Sequence, residues 1–333
     1  KEFCTNKNFF FQKTKDKRVY SFLKKISSNV KEASPDERHK ISEDFFISIY
    51  PFQDIDSYTF IEVNGKRILN LNDCHFKNEK EIYYIKNKFG NIDLLSSQFS
   101  YAIGNTNRNE NELRRIDAMQ KINDLNQLIK ILSPTYFLPF ASFSYFSSSE
   151  NFYLNDHMNK IDKTILNIEK KNPETKVLCM YPGDKWNYGD KHENNLSVSK
   201  YLIDYKRLQA IEEKKVDFDK EELNRIIKNF IENNKKNNNL FIFYYLFKKN
   251  LFSINFNLTD LNILIKFDSN IGIKEICKNE KAKNNYCDLS YDSLLNLFLT
   301  GYGYDTLKEL QMHMFQSHYE IVKNDAKEWF KNG

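Results

Sequence analysis

The chain has 333 residues, 50 Lys+Arg against 45 Asp+Glu (net charge +5), and 41% hydrophobic, 29% charged and 15% aromatic residues. That length predicts about two domains with a sizeable core, and 28 Phe and 20 Tyr exclude a disordered chain. Lysines and acids alternate without a basic stripe, which argues against nucleic acid, and no apolar run reaches the roughly 18 residues needed to cross a bilayer.

Five scattered cysteines (Cys4, Cys74, Cys179, Cys277, Cys287) include no Cys-x-x-Cys pair, so neither a zinc ribbon nor a disulfide framework is expected. A reducing, cytoplasmic location fits. No signal peptide is visible, and a first residue Lys1 rather than Met leads us to expect a natural N-terminus further upstream.

Taken in order, residues 1–40 are polar, with a helix predicted over Arg18–Val30 and a turn at Ser34-Pro35-Asp36. Phe45–Tyr50 reads as a strand. Asn64-Gly65 between two apolar runs is a type I′ hairpin signal, because both residues accept positive φ. The second hairpin strand, Lys66–Leu71, runs straight into Asn72-Asp73-Cys74-His75. A helix over Glu79–Phe89 ends at Gly90, and a short strand follows over Ile92–Ser96. Leu113, Ile116, Met119, Ile122, Leu125, Ile129 and Leu132 recur at helical spacing, predicting an amphipathic helix with that stripe on the core. Tyr136–Phe140 is a strand, Met158–Lys170 a helix and Lys176–Tyr181 a strand opening into Pro182-Gly183-Asp184. This strand–helix alternation predicts a layered α/β architecture. From residue 196 the texture changes: helices over Tyr201–Ile211 and Glu221–Ile231, strands over Leu240–Phe247, Phe252–Asn257 and Leu261–Phe267, and helices over Tyr291–Leu299 and Thr306–Phe330. The expected division is residues 1–195 and a C-terminal α+β domain, 196–333.

The chemistry is expected at strand ends. Asp73 and His75 lie two residues apart after a strand and thus face one side, a pattern that suits a shared metal. A surface histidine beside a turn reads equally well, and Cys74 faces the other way as a small hydrophobe. In the loop 141–156, Ser142, Tyr145, Asn151 and Asn155 offer donors and acceptors suited to sugar hydroxyls. The alternative is a solvated loop anchored by Phe143 and Phe146. Asp184 and Trp186, after a buried strand and a Pro-Gly turn, are a second substrate-binding candidate. No phosphate loop, Ser-His-Asp order or Gly-x-Ser-x-Gly elbow occurs.

Ile68-Leu-Asn-Leu-Asn-Asp-Cys74, Asp93–Ala102, Pro139–Phe146 with Glu150–Asp156, and Val177–Trp186 resemble, in order and spacing, metallo-β-lactamase-fold proteins of the CMP-N-acetylneuraminate and UDP-N-acetylmuramate hydroxylase group. The resemblance covers roughly residues 40–195. It implies the second half of an αββα sandwich, with Asp73 at the place of the metal-bridging aspartate and His75 as a further ligand. It also implies iron, zinc or manganese and a nucleotide-sugar or amino-sugar substrate, acted on by hydrolysis or hydroxylation. The chain departs from the family in having no His-x-His-x-Asp-His loop, and Pro139-Phe140-Ala141 stands where lactonase-like members carry a last histidine. A Rieske cluster needs Cys-x-His and Cys-x-x-His pairs, which are absent. The alternative is a non-catalytic binding protein that keeps the scaffold without the metals. The expected partners are a sugar-type small molecule and either a second copy of the chain or a missing N-terminal half, whose absence would leave a sheet face bearing Phe60 or Ile68 uncovered.

Overall fold

The computed structural model describes residues 7–53, 56–101, 106, 108–148, 150–209, 217–237, 253–268, 272–278 and 286–299. The chain divides into two compact units. Unit 1 comprises Lys1–Ala102, Asn109–Tyr145 and Asp156–Ala210; unit 2 comprises Ile103–Arg108, Phe146–Asn155 and Ile211–Gly333.

Unit 1 opens with β1 (Phe9–Gln12), α1 (Arg18–Ile26) and β2 (Val30–Ala33), the two strands pairing in parallel. The predicted first helix therefore stops four residues early, at Ile26, and Val30, β-branched, enters a strand instead. The main sheet has seven strands in sequence order: β3 (His39–Ser42), β4 (Phe45–Phe52), β5 (Asp56–Val63), β6 (Lys66–Asn70), β7 (Leu94–Ser97), β8 (Tyr136–Pro139) and β9 (Lys176–Val177). The first four form an antiparallel meander. Asn64 (φ 50°) and Gly65 (φ 72°) make its last turn, as their sequence predicts. From β6 onward pairing is parallel, and the crossovers are α2 (Glu79–Phe89), α3 (Asn111–Leu132) and α4 (Ile161–Lys171). Beyond β9, α5 (Asn194–Gln209) completes the unit.

Register explains which face is buried. Phe60, Leu69, Leu95, Phe137 and Val177 lie in one row across β5–β9 and pack against Ile82, Ile85, Leu125, Ile129 and Ile165 of the helices. Leu69, Leu95 and Phe137 are fully buried, so truncating Phe137 to Ala costs about 3–5 kcal/mol. The next row, Ile47, Ile61, Ile68 and Leu94, is on the other face and half-buried. Phe60 thus does not share a face with Ile68: it faces the helices and stacks on Phe89 at 4.4 Å.

The stripe expected on α3 is half right. Leu125, Ile129 and Leu132 are buried, but Leu113, Ile116 and Met119 are about half exposed, and Arg114, Ala118, Lys121 and Asp124 face inward instead. The first half of α3 runs beside the strand-end turns, whose polar groups need partners. Ala118 O accepts the Asn159 amide there, and Asp124 meets His75. The inward face of this half is therefore polar, like the turns it borders.

Unit 2 has α6 (Lys220–Asn237), a four-stranded sheet of β10 (Ser253–Leu258), β11 (Ile263–Asp268), β12 (Gly272–Lys278) and β13 (Tyr286–Leu289) in the order β12-β11-β10-β13, and α7 (Tyr291–Leu299). Leu223, Ile227, Phe256, Ile265, Leu289 and Leu294 are in its core. The predicted strand at Leu240–Phe247 and the helix at Thr306–Phe330 lie outside the described residues. Glu150, in the Phe146–Asn155 segment, accepts hydrogen bonds at the start of α7 from Ser290 N (2.6 Å), Ser290 Oγ (3.0 Å) and Ser293 Oγ. Asp260 accepts from Tyr291 N (3.1 Å) at the same helix end. Two carboxylates thereby satisfy orphan N–H groups and the positive end of the helix dipole.

Candidate functional site

The carboxyl ends of β6, β7 and β8 carry the turns where an α/β sheet places its chemistry. Among the described residues there, two other than glycine adopt left-handed backbone, Asn72 (φ 50°) after β6 and Ala141 (φ 54°) after β8. Asn pays little for that conformation, but Ala does not adopt it freely, and such strain collects at functional sites. The turns are tied to one another. Ser142 Oγ accepts from Phe99 N and Ser100 N (both 3.0 Å) and donates to Ser100 O (3.1 Å). Asn159 N donates to Ser100 Oγ (2.9 Å), and Gln98 N donates to Asn72 O (3.2 Å).

Asp73 stands on the first of these turns. Cys74 N closes the turn onto Leu71 O (2.8 Å), and Asn70 Oδ1 accepts from Asn72 N (3.0 Å). The Asp73 carboxylate is exposed, and its one hydrogen bond among the described residues comes from the Asn72 amide at 2.8 Å. Its charge reaches Asp56, whose carboxyl is pushed up by burial and then by Asp73. Cys74 is 1% exposed and burial pushes its thiol up to about 12, so it is the inert hydrophobe its position suggests.

His75 does not join Asp73. Its Nε2 lies 3.0 Å from Asp124 Oδ2, off hydrogen-bond angle, with Lys121 alongside. Burial, and then the Lys121 charge, hold the imidazole well below its usual value. Lys121, 7% exposed, is pushed down to about 7, first by burial and then by Lys77. Asp124 accepts from Gln120 Nε2 (2.7 Å). Lys121 and Asp124 escape sequence reading because they fall inside a helical stripe on a face expected to meet solvent.

The substrate candidates are placed differently from expectation. Ser142, 2% exposed, has its hydroxyl committed to the turns. Asn155 binds Phe146 N (3.0 Å), Phe146 O (2.7 Å) and Phe152 O (2.9 Å), a structural role. Asn151 is buried, its carbonyl accepting from Leu154 N (2.9 Å), and Tyr145 is half-buried. Ser142 and Tyr145 belong to unit 1, Asn151 and Asn155 to unit 2. Asp184 holds Tyr181 N (2.8 Å), Ser197 Oγ (2.5 Å) and Lys200 Nζ (2.9 Å), and these hydrogen bonds keep its carboxyl far below the carboxylate range. Trp186 donates to Asp190 O (2.9 Å) and packs on Tyr136 at 4.9 Å. The side chains of Ser142, Asn155, Asp184 and Trp186 each hold backbone.

A cleft of about 580 Å³ between α2, α3 and the end of α4 is lined by Glu79, Tyr83, Lys86, Lys130 and Lys171 among others. Its lysines are in last helical turns, where a cation offsets the negative end of the helix dipole; Lys86 donates to Ile131 O and Lys171 to Asn123 Oδ1 (3.4 Å).

Among the described residues, no three His, Cys, Asp or Glu side chains are grouped as an ion site, and no helix is long and apolar enough to cross a membrane. No family model matches the chain, and no curated protein matches it. Similar solved structures include CmlA, a diiron β-hydroxylase from Streptomyces venezuelae (13% identity, 51% of this chain, 38% of that one, TM-score 0.37). Others are Igni18, a metallo hydrolase from Ignicoccus hospitalis (15%, 55% and 70%, 0.38), and the metallo-β-lactamase fold protein YhfI from Bacillus subtilis (10%, 50% and 60%, 0.32). This chain thus spans little more than a third of CmlA, and likeness at this level carries no activity with it. The layered α/β class with a central mixed sheet stands on the strand order itself, and YhfI, one of the structures it is similar to, is a metallo-β-lactamase fold protein.

Proposed function

We propose that the carboxyl edge of unit 1 is one side of a metal-dependent hydrolytic or hydroxylating site, to which this chain gives Asp73. The observation that carries the reading is an exposed carboxylate with one hydrogen bond among the described residues, held on a left-handed turn at the end of a parallel strand. Its donor chemistry fits: a hard oxygen ligand with open lone pairs suits iron, zinc or manganese. His75 does not fit, since it is turned to Asp124 beside the buried Lys121, and it is left out of the ligand set. Asp73 is the ligand that the described residues give to this reading. A bound ion supplies a hydroxide nucleophile or, with iron and an external reductant, oxygen activation. A nucleotide-sugar or amino-sugar substrate rests on the family resemblance of the sequence, and the loop residues first named for it are not part of the reading.

The test is metal content and calorimetric titration of the full chain with Mn²⁺ and Zn²⁺. Uptake in the parent and its loss in Asp73→Ala, with thermal stability nearly unchanged, is the expected result. Equal uptake by both proteins sinks the assignment. A second reading, binding without catalysis, is favoured by the His75–Asp124–Lys121 packing, which engages the imidazole nearest Asp73 in sequence. It predicts a parent protein without stoichiometric metal.

A further inference from the structure

Among the described residues Asp73 makes one side-chain hydrogen bond, yet its turn is tied down, and the reason lies on the neighbouring strand. Gln98, the first residue past β7, reaches that turn twice. Its backbone N–H donates to Asn72 O (3.2 Å), and its side-chain amide Nε2 donates to Asp73 O. The second bond acts on the carbonyl of the residue that carries the exposed carboxylate. Gln98 is itself fixed from behind, because the next two residues, Phe99 and Ser100, hang from Ser142 Oγ on the β8 turn. A chain of contacts therefore runs from the β8 turn through the β7 end to Asp73. Gln98 is its last member.

We infer that Gln98 is the positioning residue for Asp73: its side-chain amide fixes the peptide plane after Asp73 and hence the direction in which the carboxylate leaves the sheet edge. The inference rests on the reading of Asp73 as a ligand for its purpose, but not for its geometry. A glutamine that only filled space would be replaceable by any side chain of its length. One that donates to Asp73 O is not.

Two isosteric variants remove the donor, Gln98→Met and Gln98→Glu, and Gln98→Lys keeps a donor at similar reach. The first readout is amide hydrogen exchange, which needs no metal. Loss of the bond should speed exchange at Cys74, whose N–H closes the turn, by roughly tenfold in the first two variants, with near-parental rates in Gln98→Lys. Amides of the β5–β6 ladder should not change. Parental exchange at Cys74 in both donor-free variants overturns the inference, as does equal acceleration throughout the ladder. The second readout is Mn²⁺ affinity, expected to fall 10–100-fold in Gln98→Met and to recover in Gln98→Lys. A parent that takes up no metal removes the ligand reading of the previous subsection, and the exchange measurement then decides on Gln98 alone.

Discussion

Lys121 is 7% exposed and has no hydrogen bond among those described, so charging its ammonium works against the fold of unit 1. Its folded value near 7 is depressed from 10.5, so the unfolded chain binds the extra proton between those limits. The stabilisation is full above about 10.5 and is lost as pH falls toward 7. His75 is depressed too, and its contribution is lost as pH falls below 6.5. Unit 1 should therefore gain stability from mildly acidic pH to beyond pH 9, by about 2–4 kcal/mol. Urea unfolding at pH 6, 7.5 and 9 checks this. Lys121→Met should flatten the upper part of the slope and raise the His75 pKa, which imidazole NMR reads directly. A variant with the parental profile would show that Lys121 is not the group responsible. Asn155, with three hydrogen bonds to backbone, should cost about 1–3 kcal/mol on truncation to Ala, read from the urea midpoint of unit 2. Asp73 was legible as a strand-end carboxylate. Gln98 was not, because it acts through a backbone carbonyl that no side-chain pattern announces.

At the scale of elements, α3 separates two kinds of information. Its apolar spacing reports a helix correctly, yet reports its buried face correctly only from Leu125 onward, where the opposing surface is the apolar row Leu95 and Phe137. Before that the opposing surface is a set of polar turns, and sequence periodicity carries no knowledge of what lies across an interface. Gln in place of Leu113, Ile116 or Met119 should change stability by less than about 0.5 kcal/mol each, whereas Ile129→Ala should cost about 2–5 kcal/mol. Equal losses at both ends of the helix would contradict the observed facing. The hairpin at Asn64-Gly65 and the strand–helix order from β6 to β9 were readable because local turn chemistry and period fix them. β1 and β2 were not. Their pairing joins segments about twenty residues apart, and Phe9, Phe10 and Phe11 do not alternate with polar residues.

For the whole molecule, the division into two units does not follow the chain from one end to the other. Phe146–Asn155 leaves a stretch that otherwise belongs to unit 1 and becomes part of unit 2. Glu150→Ala should therefore be felt far away in sequence, as faster hydrogen exchange at Leu294, the first amide bonded within α7, with a loss of about 1–3 kcal/mol in unit 2. No change at Leu294 would reduce Glu150 to a surface contact. The same connection orders events during synthesis. Glu150 and Ser290 are 140 residues apart, and at about 5–20 residues per second a ribosome takes on the order of 10 s to deliver the second after the first. For most of that interval both β8 and β9 have been made, while the Glu150 carboxylate waits for a helix that does not yet exist.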